Sequence, residues 1–295
     1  MQQSHIGRVI LWMTGALLSF TTMALSIRAL AKSLSVFEIL TTRVIGGLLI
    51  LLTLAACRPE LREGFRPRYM RLNLMRNGVH FASQYVWALS LTLLPLANVF
   101  ALEFTMPVWL AILAVIILGE KMTPSRIGVV VTGVVGVLVI LRPGLTAFNI
   151  AALLPLAAAL GYALFNVLTK KLSAHVSTFH VVFWMNAIQL PIGLAGSDPL
   201  YMTKLVGWQW LAVVGIGIAG LSAHFCLVQA FRAGDATLVM PIDFLRVPLI
   251  AVIGWMFYGE SLDIFVLIGA GIMLAGILWN LQVEAKKAQP PIEDP

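Results

Sequence analysis

The stretch ANVFALEFTMPVWLAILAVIILGE, Ala97 to Glu120, returns 140 positions later as TLVMPIDFLRVPLIAVIGWMFYGE, Thr237 to Glu260. Without gaps this register pairs Glu103 with Asp243, Phe104 with Phe244, Gly119 with Gly259, Glu120 with Glu260 and Gly136 with Gly276, while Pro107 faces Pro248 one residue out. Upstream the offset becomes 142, pairing Phe37 with Phe179 and Ala88 with Ala230, so the first copy holds two extra residues between Ala88 and Ala97. That segment reads as a helix-to-helix connection, where length changes are tolerated. The chain is therefore two copies of one unit, residues 1–145 and 146–283, followed by a short tail, 284–295.

Composition says where such a chain lives. Of 295 residues, 60% are apolar and 11% charged, and the mean hydropathy is +0.93, which a water-exposed surface hardly accommodates. Apolar windows of about 20 residues, enough for a hydrocarbon core of roughly 30 Å, begin near Ile6, Ser35, Arg71, Pro95, Pro124, Asn149, Val176, Trp208, Ala236 and Asp263. The expectation is an all-α membrane protein of ten transmembrane helices. The first apolar run, from Ile6 to Leu30, is too long for the core of a cleavable signal and is expected to stay as a helix. Cys57 and Cys226 lie far apart with no neighbouring Cys or His at metal spacing, so neither a disulfide nor a metal site is expected.

Positive charge orients the chain, because cytoplasmic loops collect Lys and Arg. With the N-terminus inside, thirteen of the twenty fall on the cytoplasmic side, five of them in the loop from Arg58 to Arg71. Arg28, Lys32, Arg142 and Lys204 fall on the other side, and Arg43, Arg76 and Arg246 lie within spans. Both termini are expected in the cytoplasm. The net charge of +7 is then a topology signal, and no nucleic-acid partner is expected. Five helices per copy is odd, so the second copy enters the membrane the other way up, an inverted repeat suited to alternating access.

The ten-helix pattern with its repeated proline-then-Gly-Glu motif resembles the drug/metabolite transporter superfamily, in particular its EamA-type exporters, from about Ile10 to Leu281. Matching elements are Arg43 in the second helix, Pro107 leading to Leu118-Gly119-Glu120 in the fourth, Gly128, Gly133 and Gly136 in the fifth, and their second-copy echoes. A Trp-Gly pair often found midway along the first helix is Ser19-Phe20 here. Within the superfamily the chain looks most like the YddG-type amino-acid exporters. The resemblance implies a multi-pass carrier of the bacterial inner membrane that exports aromatic or broadly neutral amino acids, or another small metabolite or drug, without a cofactor.

Ionisable side chains inside spans are the candidate site, since they are costly in hydrocarbon and face a bundle interior or a cavity. Arg76, His80, Ser83, Trp87 and Ser90 share one face of the third helix. The matching face in the second copy carries Ser222, Phe225 and Gln229. The plainer alternative has Arg76 reaching to the interface and His80 as a packing residue. Asp243 has Arg246 at i+3, within reach of an ion pair, and Glu103 holds the equivalent acid position. On the transport reading, Arg246 or Arg76 meets a substrate carboxylate and Glu103 or Asp243 its ammonium group. Tyr162, Phe165 and Trp87 are expected to help form an aromatic wall. Pro107 and Pro248 interrupt backbone hydrogen bonding and are candidate hinges.

Gly119 and Gly259 read as helix stops. Gly128, Thr132 and Gly136, and Gly271 with Ala275, read as small faces for close helix contact, from which a dimer does not follow. No HExxH, Gly-x-Ser-x-Gly, phosphate loop or Cys–His cluster suggests an enzyme, and no repeated charge ring suggests a channel.

Overall fold

The computed structural model describes residues 2–119, 121–142, 149–173, 175–233, 239 and 242–288. Among these there is no strand. The helices are α1 (Gln2–Leu30), α2 (Val36–Cys57), α3 (Met70–Leu93), α4 (Leu96–Glu103), α5 (Met106–Leu118), α6 (Pro124–Leu141), α7 (Leu153–Ser173), α8 (Thr178–Ala195), α9 (Gln209–Ala233), α10 (Arg246–Tyr258) and α11 (Ile264–Ala288). Among the described residues eight segments are long and apolar enough to cross a membrane, with α4 and α5 together supplying one. The other two windows fall short of that measure for visible reasons: α3 carries Arg71, Asn73, Arg76, Asn77 and His80, and α10 spans 13 residues.

Local chemistry starts and stops the helices in parallel in both halves. Ser35 and Glu38 form a reciprocal cap on α2, and Ser177, 142 positions on, accepts the His180 N–H at the start of α8. At the far end of each motif, Gly119 (φ +68°) and Gly259 (φ +64°) take the left-handed conformation that lets the helix end. Glu120 lies outside the described residues. Glu260 pairs with Arg28 of α1 and accepts the Leu96 N–H (2.9 Å), so its carboxylate sits on the positive end of α4.

The major helix contacts join the halves: α1 with α9, α3 with α7, α2 with α8, α4 with α10, and α6 with α11. Small residues allow the closest of them. A methyl on Gly46 of α2 would stand 2.7 Å from the Gly217 Cα of α9. Gly136 meets Gly269 and Met273, and Thr132 meets Gly276. The small face expected in the last helix is thus turned: Gly269 and Gly276 meet α6, whereas Gly271 has open space. The neighbour of the α6 face is in the same chain.

The two ends of the bundle are tied differently. At the end where α1 finishes, ion pairs cross between the halves: Arg28 with Glu260, Arg142 with Asp263, and Lys204 with Glu38 (2.9 Å). Lys204 also reaches the exposed Asp198 (3.0 Å); the Leu200 N–H, then Lys204, hold that carboxyl below its ordinary range. At the other end the basic loop folds over α8, with Phe65 against Phe179 and Phe183, and Asn73 bonded to His180 (3.2 Å).

Candidate functional site

The motif that opened the sequence does not form a continuous helix. In the first copy the helix stops after Glu103 and restarts at Met106; in the second, residues 242–244 are helical, Leu245 turns, and α10 starts at Arg246. Pro107 and Pro248 are therefore early residues of the second segments, and the interruption lies just before them. Each proline lacks an N–H and crowds the carbonyl four residues back, which is that of Glu103 in one copy and Phe244 in the other. Thr105 partly repairs the first break, its hydroxyl donating to the Leu102 carbonyl (2.7 Å).

The breaks bring three charges together. Arg246 donates from Nη2 to Asp243 Oδ2 (3.2 Å) and holds Nη1 3.8 Å from Glu103 Oε1. The pair expected at i+3 is present, and the equivalent acid of the other copy joins it. Trp87 donates from Nε1 to Glu103 Oε2 (2.8 Å). Rings close over the guanidinium, Phe20 at 4.3 Å, Phe104 at 5.1 Å and Phe100 at 5.4 Å, and Phe104 meets its counterpart Phe244 at 4.8 Å. The Ser19-Phe20 departure in the first helix thus places a ring on Arg246.

A second polar cluster stands on α2, α3, α7 and α8. Arg43 donates from Nη2 to Gln189 Oε1 (3.0 Å), and Gln189 Nε2 faces His80 Nδ1 (2.7 Å) and the Asn77 carbonyl (3.3 Å). An arginine only donates, so the Gln189 oxygen must face Arg43 and its amide nitrogen must face His80. His80 Nδ1 is then an acceptor, and its proton is on Nε2. Arg76 donates from Nε to Thr169 (2.7 Å) and from Nη1 to Asn77 Oδ1 (2.7 Å), and lies over the Phe165 ring at 4.3 Å. It does not reach to the interface: Arg76 is 2% exposed. Phe165 and Tyr162 flank His80 with centroids at 4.2 and 5.9 Å.

Tyr162 lies within electrostatic range of Glu103, Arg43 and Arg246, which joins the two clusters into one interior region. His224 belongs to it as well, near Phe20 (6.0 Å) and within electrostatic range of Arg43, Arg76 and Arg246, yet its side chain is exposed. The region is therefore not closed off at this side chain.

Two residues of the sequence-based set stand apart. Ser83 is buried where Gly161 of α7 comes against it, and its hydroxyl donates to the Val79 carbonyl (2.7 Å), so it serves the α3–α7 contact. Gln229 is half-buried and takes no part in the network around Asp243. Arg43 and His224 are ionisable residues of spans and so candidates from the sequence itself, whereas Gln189, Asn77 and Thr169 are neutral, and they and the rings of Phe20, Phe100 and Phe104 lie outside the sequence-based set. Uncharged amides in apolar windows were the available signal; Phe100 had none.

Comparison with known proteins agrees with this architecture. The profile of the EamA-like transporter family matches residues 7–142 and 149–282. A riboflavin transporter of Vibrio cholerae is 29% identical over 231 residues, covering 78% of this chain and 77% of that protein. An S-adenosylmethionine uptake transporter of Rickettsia felis is 26% identical, with 73% of each covered, and a pseudopaline exporter of Pseudomonas aeruginosa is 24% identical, covering 88% and 91%. A crystal structure at 18% identity superposes with a TM-score of 0.64 over 97% of this chain and 99% of that one, a likeness of fold. With both halves of the chain matched by its profile, the chain belongs to the EamA-like transporter family.

Proposed function

We propose that this protein is a carrier of the bacterial inner membrane that moves a small, ring-bearing metabolite by alternating access. Ten membrane helices form two inverted repeats, 1–145 and 146–283, with residues 284–295 and the N-terminus in the cytoplasm. One observation carries the reading: the matching breaks in the two copies meet at an interior region that combines Arg246, Glu103 and Asp243 with the rings of Phe20, Trp87, Phe100, Phe104, Tyr162 and Phe165. Paired helix breaks near mid-membrane expose backbone groups at a shared site, and rocking of one repeat against the other uncovers it on alternate sides. The names of the relatives, riboflavin and S-adenosylmethionine transporters among them, favour a molecule with a larger flat ring system over an ordinary amino acid.

The amino-acid reading is the second one, and one observation favours it. The interior has an anion-seeking pole at Arg43 and Arg76 and a cation-seeking pole at Glu103 and Asp243, as a zwitterion requires. Exchange in liposomes decides between them. Purified protein is reconstituted around unlabelled riboflavin, S-adenosylmethionine, tryptophan or alanine, and entry of the labelled compound is followed. Saturable exchange of riboflavin or S-adenosylmethionine beyond that of either amino acid is expected. Preferential exchange of tryptophan and alanine would move the assignment to amino acids, and linear, unsaturable entry would remove the carrier reading.

A further inference from the structure

The charges of the interior do not cancel locally. Both described carboxylates of the region, Glu103 and Asp243, are engaged by Arg246. Arg43 and Arg76 are left with neutral acceptors only, Gln189 for one and Asn77 and Thr169 for the other, and no described carboxylate forms an ion pair with either. They are 3% and 2% exposed, and Arg43 Nε is buried without a hydrogen-bond partner among the described residues. A guanidinium in a membrane interior without an anion is costly, and such charges mark ligand paths.

Three further observations point the same way. First, the arginines are fixed relative to each other: Gln189 bonds Arg43 and the Asn77 carbonyl, and the Asn77 side chain bonds Arg76. A bridge of neutral amides holds two planar forks in place without consuming their charge, which suits an incoming oxyanion that accepts two charged hydrogen bonds. Second, the repeat does not need these cations. At the 142-residue offset Arg43 corresponds to Met185 and Arg76 to Ile218, so the fold builds the same elements from apolar residues in its other copy. Third, His224, whose side chain is accessible, is within electrostatic range of both, so the region is open at that point.

We propose that Arg43 and Arg76, bridged by Gln189 and Asn77, form a subsite for an oxyanion, carboxylate or phosphate, carried by the transported molecule. The subsite rests on the carrier reading and, among its ring-bearing candidates, favours those that carry an acid, S-adenosylmethionine or riboflavin 5′-phosphate, over riboflavin itself.

Matched pairs test it on the full-length protein in detergent, with binding read from tryptophan fluorescence and ligand-induced thermal shift. Riboflavin 5′-phosphate is set against riboflavin, S-adenosylmethionine against its decarboxylated form, and tryptophan against tryptamine. The acid-bearing member of at least one pair is expected to bind about tenfold tighter or more, as charged hydrogen bonds allow. The phosphate and carboxylate pairs tell the two anions apart. Arg43→Gln and Arg76→Gln are expected to erase the preference, and Arg43→Lys and Arg76→Lys to retain part of it. The wild-type comparison stands even where a Gln variant fails to fold. Equal binding within every pair, or binding of no member, overturns the subsite. The carrier reading fails separately: acid-selective binding without liposome exchange leaves the subsite and removes transport, while exchange indifferent to the acid does the reverse.

Discussion

The two helix breaks share an acid, a following phenylalanine and a nearby proline, and they differ in what the acid meets. At the first, Glu103 takes a hydrogen bond from Trp87 of α3. At the second, the residue matching Trp87 is Gln229, with no hydrogen bond to Asp243, and one Asp243 oxygen is buried without a hydrogen-bond partner among the described residues. The cation is equally one-sided. Arg246 has Met106 as its first-copy counterpart, where a thioether receives the Asn166 amide (3.4 Å). The two copies share an interruption of the helix, while the shared positive charge stands in one copy and the indole donor in the other. Shape is conserved between the copies where charge is not, because a bend needs only backbone geometry whereas a binding region gains by having unlike sides.

This comparison can be broken. Arg246→Met removes the guanidinium both breaks share and leaves two buried carboxylates, so a loss of about 3–5 kcal/mol in unfolding free energy is expected. Adding Met106→Arg should return part of that loss by supplying the charge from the other copy; no recovery would mean that the breaks are not interchangeable supports. Next in size is Trp87→Phe, which removes a donor from a buried carboxylate and should cost about 1.5–3 kcal/mol, read as a lowered melting temperature in detergent. Glu260→Gln loosens the tie between Arg28 and the start of α4 and is expected to cost about 1–2 kcal/mol, less than Trp87→Phe, since water reaches this pair. Smallest is Gln229→Leu, expected within about 0.5 kcal/mol of the parent protein; a loss equal to that of Trp87→Phe would show that the second copy does use this position.

Much of the fold was legible because hydrophobic length and repeat register are properties of the chain itself. Nine of the ten windows read from the sequence have a helix beginning within a few residues, the window from Ala236 starting outside the described residues, and the Asp243–Arg246 pair was visible because i and i+3 lie on one helical face. The position of the breaks was less so. Proline announces a disturbance but not its placement, and the interruption falls at residues 104–105 and 245, ahead of Pro107 and Pro248. Contacts across the halves were not legible at all. That Glu103 reaches Arg246, or Arg43 reaches Gln189, depends on how α4 lies against α10 and α2 against α8, which no spacing along one strand of sequence encodes.

The bare contact between Gly46 and Gly217 has a mechanical consequence. Where two helices touch through side chains, ridges seat in grooves and turning one against the other means unseating them. Here α2 and α9, one from each half, meet backbone to backbone at Gly46 and Gly217, so for the rocking proposed above that point would serve as a hub. Arg43 lies one helical turn from Gly46 and runs across Gly220, itself one turn from Gly217, so the guanidinium stem sits beside the axle. Displacement is smallest at a hub. On the proposed alternating access, the helix ends swing farthest from this crossing and the Arg43 charge moves least.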